Sequence, residues 1–401
     1  MLRRGAMVGS LASLIGLSRE SHAGAQYDPG ASDTEIKLGQ TMPYSGPVSA
    51  AATSGHACVA YFDTVNKNGG INGRKVKLIS LDDGYSPPKT VEMTRQLIES
   101  DEVLFIYGSV GTPTNAAVQK MLNSRKIPQL FVTTGAGRFN NPNEFPWTIP
   151  VLPPYVAEGK ALARFVLETV ASPKIAILYQ NDDLGKDFVG GFKAGLDDRA
   201  KSLIVSEQTF EITDPTIQSQ VIAAKSSGAD VFYFAGTMKF GAMQIRARYD
   251  LGWKPLHLVC TIASSVESVL KPAGLEKCEG LISTAYSKDP FDPTWARDPS
   301  VQAYVEWVKG ALTASPADAG YIGGYIASTL TEHVLRRAGD KLTRANIMQI
   351  ASHLDDVQVP LLLPGITIRT TPTNYGLIEK FRVQQFKGGR WTPVGNIVSG
   401  T

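Results

Sequence analysis

The sequence predicts an α/β protein of two similar lobes, each a parallel sheet flanked by helices. Short β-branched and aromatic runs alternate with helix-length segments, the rhythm stops at a Pro-rich stretch, and it then resumes. In addition, 401 residues are too many for one hydrophobic core and suit two. Apolar strands separated by helices of about 10 to 15 residues are the pattern of βαβ units, with strands buried on both faces and right-handed crossovers.

In chain order, strands are expected at Ile36 to Met42, Val76 to Leu81, Val103 to Tyr107 and Leu130 to Thr133. Helices at Ala51 to Val65, Pro87 to Glu99 and Pro113 to Asn123 lie between them. The stretch from Asn141-Pro142 to Pro153-Pro154 interrupts the alternation, which resumes with strands at Ile175 to Tyr179, Leu203 to Phe210, Val231 to Ala235 and His257 to Cys260. A further strand, Gly280 to Tyr286, leads into Asp289-Pro290-Phe291-Asp292-Pro293. The helical patterns Val301 to Leu312 and Asp318 to Arg337 exceed what the second lobe needs, so they are expected on the first. Strands Phe381 to Phe386 and Trp391 to Val394 return to the second. The expected division is residues 34–151 with 287–374 for one lobe and 152–286 with 375–401 for the other. More than one crossing between lobes makes a hinge of several strands, suited to closure around a ligand.

The N-terminus carries Arg3-Arg4, an apolar and small run from Ala6 to Leu17, and Ser21-His22-Ala23-Gly24-Ala25. This is the pattern of a signal peptide over residues 1–25, cleaved near residues 23–25 and exported by the general or the twin-arginine route. Its apolar run, interrupted by Gly9, Ser10 and Ser13, is too short for a hydrocarbon core of about 30 Å. No later apolar run reaches about 18 residues, so the mature chain is expected free in an oxidising space outside the cytoplasm. Removing the leader lowers the formal net charge from +3 to +1. With no basic run there is no electrostatic footprint for nucleic acid. Of the three cysteines, Cys58 is expected as a buried small residue on a helix, while Cys260 and Cys278 could pair, a connectivity that spacing leaves open.

In open parallel sheets, ligands bind beyond the carboxyl ends of the strands. Here those segments are rich in hydroxyls and glycine: Tyr44-Ser45-Gly46-Pro47, Gly108-Ser109-Val110-Gly111-Thr112-Pro113-Thr114 and Thr133-Thr134-Gly135-Ala136. The first two open helices, whose free N–H groups and positive dipole ends favour an anion such as a carboxylate. Any one of them alone is an ordinary cap or turn; three on one sheet edge predict an uncharged carboxylate clamp. No catalytic constellation stands beside it. Gly108-Ser109-Val110-Gly111 lacks the third glycine of a dinucleotide loop, no GxxxxGK[ST] or GxSxG occurs, and His56, His257, His333 and His353 are scattered. No enzyme activity, cofactor or metal is expected.

The run Val65-Asn66-Lys67-Asn68-Gly69-Gly70-Ile71-Asn72-Gly73-Arg74, then Asp82-Asp83, Leu97-Ile98-Glu99-Ser100-Asp101 and Gly108, resembles the periplasmic substrate-binding proteins of branched-chain amino acid ABC transporters. The likeness extends over essentially the whole mature chain. It implies a mature chain free in the periplasm, the type I periplasmic binding protein fold with two lobes and a three-crossover hinge, and a ligand delivered to an inner-membrane permease. A monomer is expected, and a ligand-sensing co-receptor of the same fold is the alternative role. The resemblance places the ligand carboxylate at Thr112, Thr134, Gly135 and Ala136, with Ser45 and Ser109 beside them.

Three aromatic contacts of amino acid binders fall on Ala51, Leu184 and Thr237 in this chain, which enlarges the cleft. Where such binders place an acid for the ligand ammonium, this chain reads Cys260-Thr261-Ile262-Ala263, with no acid before Glu267. An unpaired ammonium would cost about 1 to 3 kcal/mol or more. The expectation is therefore a small organic acid without an amino group, an aromatic carboxylate in particular, with Tyr44, Tyr155 and Tyr286 as ring contacts. A branched-chain or other amino acid is the alternative. Asp183 either accepts a ligand hydroxyl or caps the helix at Gly185, and the cap is favoured.

Overall fold

The structure is a computed structural model and describes residues 25–399. The leader at residues 1–25 lies outside these apart from its last residue. Among the described residues, two main sheets form the lobes.

The first sheet is built from β2 (Glu35–Met42), β3 (Lys75–Asp82), β4 (Phe105–Tyr107), β5 (Gln129–Val132) and β6 (Thr148–Pro150), in the order β3-β2-β4-β5-β6 and parallel throughout. Connecting them are α1 (Ala52–Lys67), α2 (Pro87–Glu99) and α3 (Thr112–Ser124). Two Pro residues set the first turn of α2, where a missing N–H is harmless. A small parallel pair joins β1 (Gln26–Tyr27) to β12 (Lys341–Leu342). Neither it nor β6 was expected; two and three residues are too few for a hydrophobic period to show.

The second sheet takes β7 (Ile175–Gln180), β8 (Ile204–Phe210), β9 (Val231–Ala235), β10 (Leu256–Val259), β11 (Ile282–Ala285), β13 (Lys380–Lys387) and β14 (Arg390–Ser399), in the order β14-β13-β11-β10-β9-β7-β8. From β8 to β11 the strands are parallel, and β13 and β14 add an antiparallel edge. Every residue of β9 is buried, as a strand covered on both faces should be. Its helices are α4 (Tyr155–Thr169), α5 (Asp183–Leu196), α6 (Ala200–Leu203), α7 (Gln218–Ser226), α8 (Met238–Asp250) and α9 (Lys271–Ala273).

After β11 the chain returns to the first sheet with α10 (Pro299–Ala311), α11 (Ala319–Ala338) and α12 (Arg344–Ala351), whose Tyr304, Ile326, Leu330 and Ile347 share one core with Phe62, Tyr107 and Leu130. It then goes back to the second sheet as β13. The lobes are thus joined before α4, after β11 and before β13. Among the described residues no helix is long and apolar enough to cross a membrane.

The cysteines are all buried and all free. Cys58 sits on α1 as expected. Cys260 and Cys278 do not pair: the Cys260 thiol donates to the Gly236 carbonyl at 3.5 Å and the Cys278 thiol to that of Gly274 at 3.3 Å. Burial pushes both thiols up to about 12, so neither is poised as a thiolate. The denatured, unreduced protein is expected to titrate three thiols with a disulfide-exchange reagent; a count of one would overturn the free pairings.

Candidate ligand-binding cleft

Between the lobes lies a cavity of about 210 Å³ with the largely apolar walls of a small-molecule site. The first lobe contributes Ala51, Ser54, Tyr85, Gly111, Thr112 and Thr133; the second contributes Tyr155, Leu184, Thr237, Thr261 and Trp391; Leu152, Pro153 and Tyr286 lie at the crossings.

The first-lobe wall is made by strand ends. In β5 the register shifts between Leu130 and Val132, and Phe131 takes φ 52°, a bulge that re-aims the residues after the strand. Thr133 then lines the cleft and Thr134 is buried behind it, its hydroxyl 2.7 Å from that of Thr112. Asn115 holds the loop into α3 by donating to the carbonyls of Ser109 (2.9 Å) and Gly111 (2.7 Å). No side chain caps α3 and Pro113 has no N–H, so the donors its first turn can offer a ligand are the backbone N–H groups of Thr112, beside the Tyr85 phenol, and of Thr114. A Cβ on Gly135 would meet the Pro153 carbonyl oxygen at 2.0 Å and the Tyr155 ring at 2.7 Å, so only glycine fits there. That close approach seats Tyr155, whose ring stacks on Phe188 at 4.2 Å.

The second-lobe wall has a different chemistry. Thr237 donates its hydroxyl to Gln180 Oε1 at 2.9 Å, and Gln180 is oriented because its amide donates to Asp182 at 2.5 Å. Thr261 donates its hydroxyl and its backbone N–H to Glu158, at 2.6 and 2.7 Å. Glu158 is 1% exposed on α4, which Gly159 and Gly191 allow to lie against α5 with backbone nearly touching backbone. Burial raises its carboxyl to about 7, against the lowering effect of the two Thr261 hydrogen bonds and of the nearby Thr284 hydroxyl.

Several expected site residues sit elsewhere. Ser45 does not reach the cleft: its N–H and hydroxyl both donate to Asp82, at 3.0 and 2.7 Å, in an exposed turn. Burial alone would raise Asp82, but the bonds from Ser45, Lys89 and backbone N–H groups hold it well below the carboxylate range. Tyr44 is half-buried outside the cleft wall, its phenol 2.7 Å from the Ser80 hydroxyl and its ring stacked on His56. Ser109 is buried and accepts from the Thr41 N–H at 3.0 Å. Asp183 is exposed and paired with Arg138 at 3.0 Å; the cap of α5 is its neighbour Asp182, which accepts from the Gly185 N–H. Thr112, Thr133, Tyr155, Thr237, Thr261 and Tyr286 do share the cleft, and Thr134 and Gly135 stand directly behind it.

Two residues were not foreseen. Tyr85 lies in the cleft with φ 58°, a left-handed conformation unfavourable for a bulky residue. Asp83 enforces it by accepting from the Tyr85 N–H at 2.9 Å while also taking the Thr90 hydroxyl at 2.9 Å. The other is Glu158, which overturns the premise that no acid stands by the end of β10. It arrives there from α4, about a hundred residues away in sequence.

Opposed contacts close the mouth. Ser315, before α11, donates to Glu267 of the second lobe at 2.9 Å, the Gly137 N–H donates to Asp187 at 2.7 Å, and Ile212 and Met238 pack against the first-lobe cluster that contains Val48 and Tyr85. Among the described residues no three His, Cys, Asp or Glu side chains come together as a metal set.

A family model described as periplasmic binding protein matches residues 35–390. The chain belongs to that family. This periplasmic binding protein is 26% identical over 309 residues to a Leu/Ile/Val-binding protein homologue of Brucella melitensis, covering 76% of this chain and 80% of the relative. Its fold matches a branched-chain amino acid ABC transporter protein of Thermus thermophilus with bound valine, at TM-score 0.82 and 17% identity, over 92% of this chain and 97% of that one. A fatty acid ABC transporter substrate-binding protein of Thermomonospora curvata matches at TM-score 0.77 and 21% identity, over 94% and 95%. The substrate-binding role belongs to the family, and the two-lobed fold is the one those structures share.

Proposed function

We propose that this protein is the extracytoplasmic solute-binding component of an ABC importer, taking a small apolar α-amino acid between its lobes and presenting it to an inner-membrane permease. The observation that carries the ligand class is the polarity of the two walls. The N–H groups of Thr112 and Thr114 at the start of α3, with the Thr112 and Thr134 hydroxyls beside them, suit a carboxylate. Opposite them, Thr237 and Thr261 have committed their hydroxyl protons to Gln180 and Glu158, leaving only lone pairs for a ligand. A ligand with a carboxylate at one end and an N–H donor at the other fits both, and the apolar lining suits an aliphatic side chain. The relatives named for leucine, isoleucine and valine support the same class, and the arginine-led N-terminus supports export.

An organic acid without an amino group is the second reading. The small residues Ala51 and Thr237 in the cleft and the fatty-acid-binding neighbour of the same fold favour it. Thermal shift with leucine, valine, 4-methylpentanoate, benzoate and cinnamate separates the two. A ligand at 100 times its dissociation constant should stabilise the protein by about 2.7 kcal/mol. Stabilisation by leucine or valine is expected; stabilisation by benzoate or cinnamate alone would replace the amino acid reading with the second. Thr112→Val is expected to weaken the effective ligand about tenfold, the scale of one lost hydrogen bond, measured by calorimetry; unchanged affinity would remove Thr112 from the carboxylate site.

A further inference from the structure

Glu158 is a buried acid with both oxygens engaged by one cleft residue and, among the described residues, with no cation as partner. Buried carboxylates are ordinarily paired with a charge, so this one calls for a reason. From β10 and the turn after it come the Cys260 thiol and Thr261, from β9 the Tyr233 phenol, from β11 Thr284, and beyond β11 the Tyr286 phenol. The thiol and the two phenols are themselves pushed up by burial, and they stay neutral through the range where a carboxyl titrates. The charged residues of the other elements packed on α4 are Asp183, Lys186, Asp187 and Lys193 on α5, and Lys380, Arg382, Lys387 and Arg390 on β13 and β14. On α4 itself are Lys160, Arg164 and Glu168, and the described groups that perturb Glu158 are Thr261 and Thr284.

We propose that Glu158 is a positioning residue that sets the hydrogen-bond polarity of Thr261, so that recognition of a donor group on the ligand is linked to a single proton. As a carboxylate, Glu158 accepts the Thr261 hydroxyl proton, and Thr261 offers the cleft only an acceptor. When Glu158 takes a proton from solvent, its own O–H can donate to the Thr261 oxygen, and the Thr261 hydrogen turns outward as a donor. The backbone N–H of Thr261 keeps its bond to the second oxygen in both states, so the switch is a hydroxyl rotation without main-chain movement. Thr284, whose hydroxyl is buried without a partner within hydrogen-bond distance, stands by the same carboxyl. The titration lies near neutral pH because burial without a counter-charge raises the acid to about 7.

This inference rests on the amino acid reading for the ligand, but the proton switch itself can be read without ligand. The ¹⁵N–¹H signal of the Thr261 amide in the ligand-free protein is expected to titrate with a midpoint near pH 7 and to be flat in Glu158→Gln. The glutamine mimics the protonated acid, since its oxygen still accepts the N–H and its amide donates to the hydroxyl. Calorimetry at about pH 6 and about pH 8 then compares leucine with 4-methylpentanoate, which lacks the amino group. The preference for leucine is expected to be about tenfold greater at the higher pH in the wild type and pH-independent in Glu158→Gln. Thr261→Val should lower the preference at about pH 8 and remove its pH dependence. An amide signal that does not titrate, or a preference whose pH dependence survives Glu158→Gln, would overturn the switch while leaving the amino acid reading standing. A titrating amide in a protein that binds neither compound would overturn the amino acid reading and, with it, the ligand half of this inference.

Discussion

Wild-type stability is expected to fall by about 3 kcal/mol relative to Glu158→Gln as the pH rises from about 4.5 to about 7. The sign follows from where the proton sits. Below the unfolded value of 4.5 the acid is protonated in both states and its burial is harmless. Above that value the unfolded chain releases the proton while the folded one keeps it until about 7, so unfolding becomes progressively easier across the interval. Beyond about 7 the difference is constant. Other carboxyls, such as Asp82 held low and Asp187 raised by burial, add their own slopes. Subtracting the variant's profile isolates Glu158, because Gln keeps the shape and the Thr261 contacts without the charge. Urea unfolding at several pH values measures it, and parallel profiles for the two proteins would show that Glu158 titrates as an ordinary acid.

Gly135→Ala is expected to destabilise the protein by about 3 kcal/mol or more and to weaken ligand binding at least about tenfold. The added methyl would sit 2.0 Å from the Pro153 carbonyl oxygen, which is backbone at a crossing between the lobes and has no flexible end to swing away. It would also press on the Tyr155 ring, which cannot retreat because it is stacked on Phe188. The displaced elements are therefore the hinge and the cleft wall together. Gly190→Ala is the matched control: it lies exposed within α5 with no atom near its would-be Cβ, so the change should stabilise by about 0.5 to 1 kcal/mol. Urea unfolding of the two variants beside the wild type checks the contrast, and similar behaviour would show that the Gly135 contact yields at little cost.

The strand rhythm was legible where a run is long and buried on both faces. β9 reads Val231–Ala235 in sequence and in structure, because a fully covered strand has to be apolar throughout. β6 was not legible, since three residues ending in Pro150 leave no period to detect and its strand character comes from pairing with β5. Within the cleft, Thr112 and Thr133 were legible for a topological reason, since each follows a strand at the sheet edge where parallel architectures bind ligands, whereas Thr237 and Thr261 were reached only through the family resemblance. Ser45 and Ser109 follow strands too, yet Asp82 and the Thr41 N–H hold their hydroxyls away from the ligand. Nothing in a local pattern reveals which hydroxyl finds a partner on a neighbouring strand.

By itself, then, the sequence determined the lobes, the edge that carries the site and the hydroxyl-rich character of that edge, because periodicity and turn chemistry are local properties of the chain. Only the tertiary structure decided what those hydroxyls can do. Glu158 meets Thr261 because two glycines let α4 lie against α5, Gln180 turns Thr237 because Asp182 turns Gln180, and Asp83 forces Tyr85 into the cleft. A hydroxyl is donor or acceptor according to the group behind it, and that group is supplied by packing between distant segments.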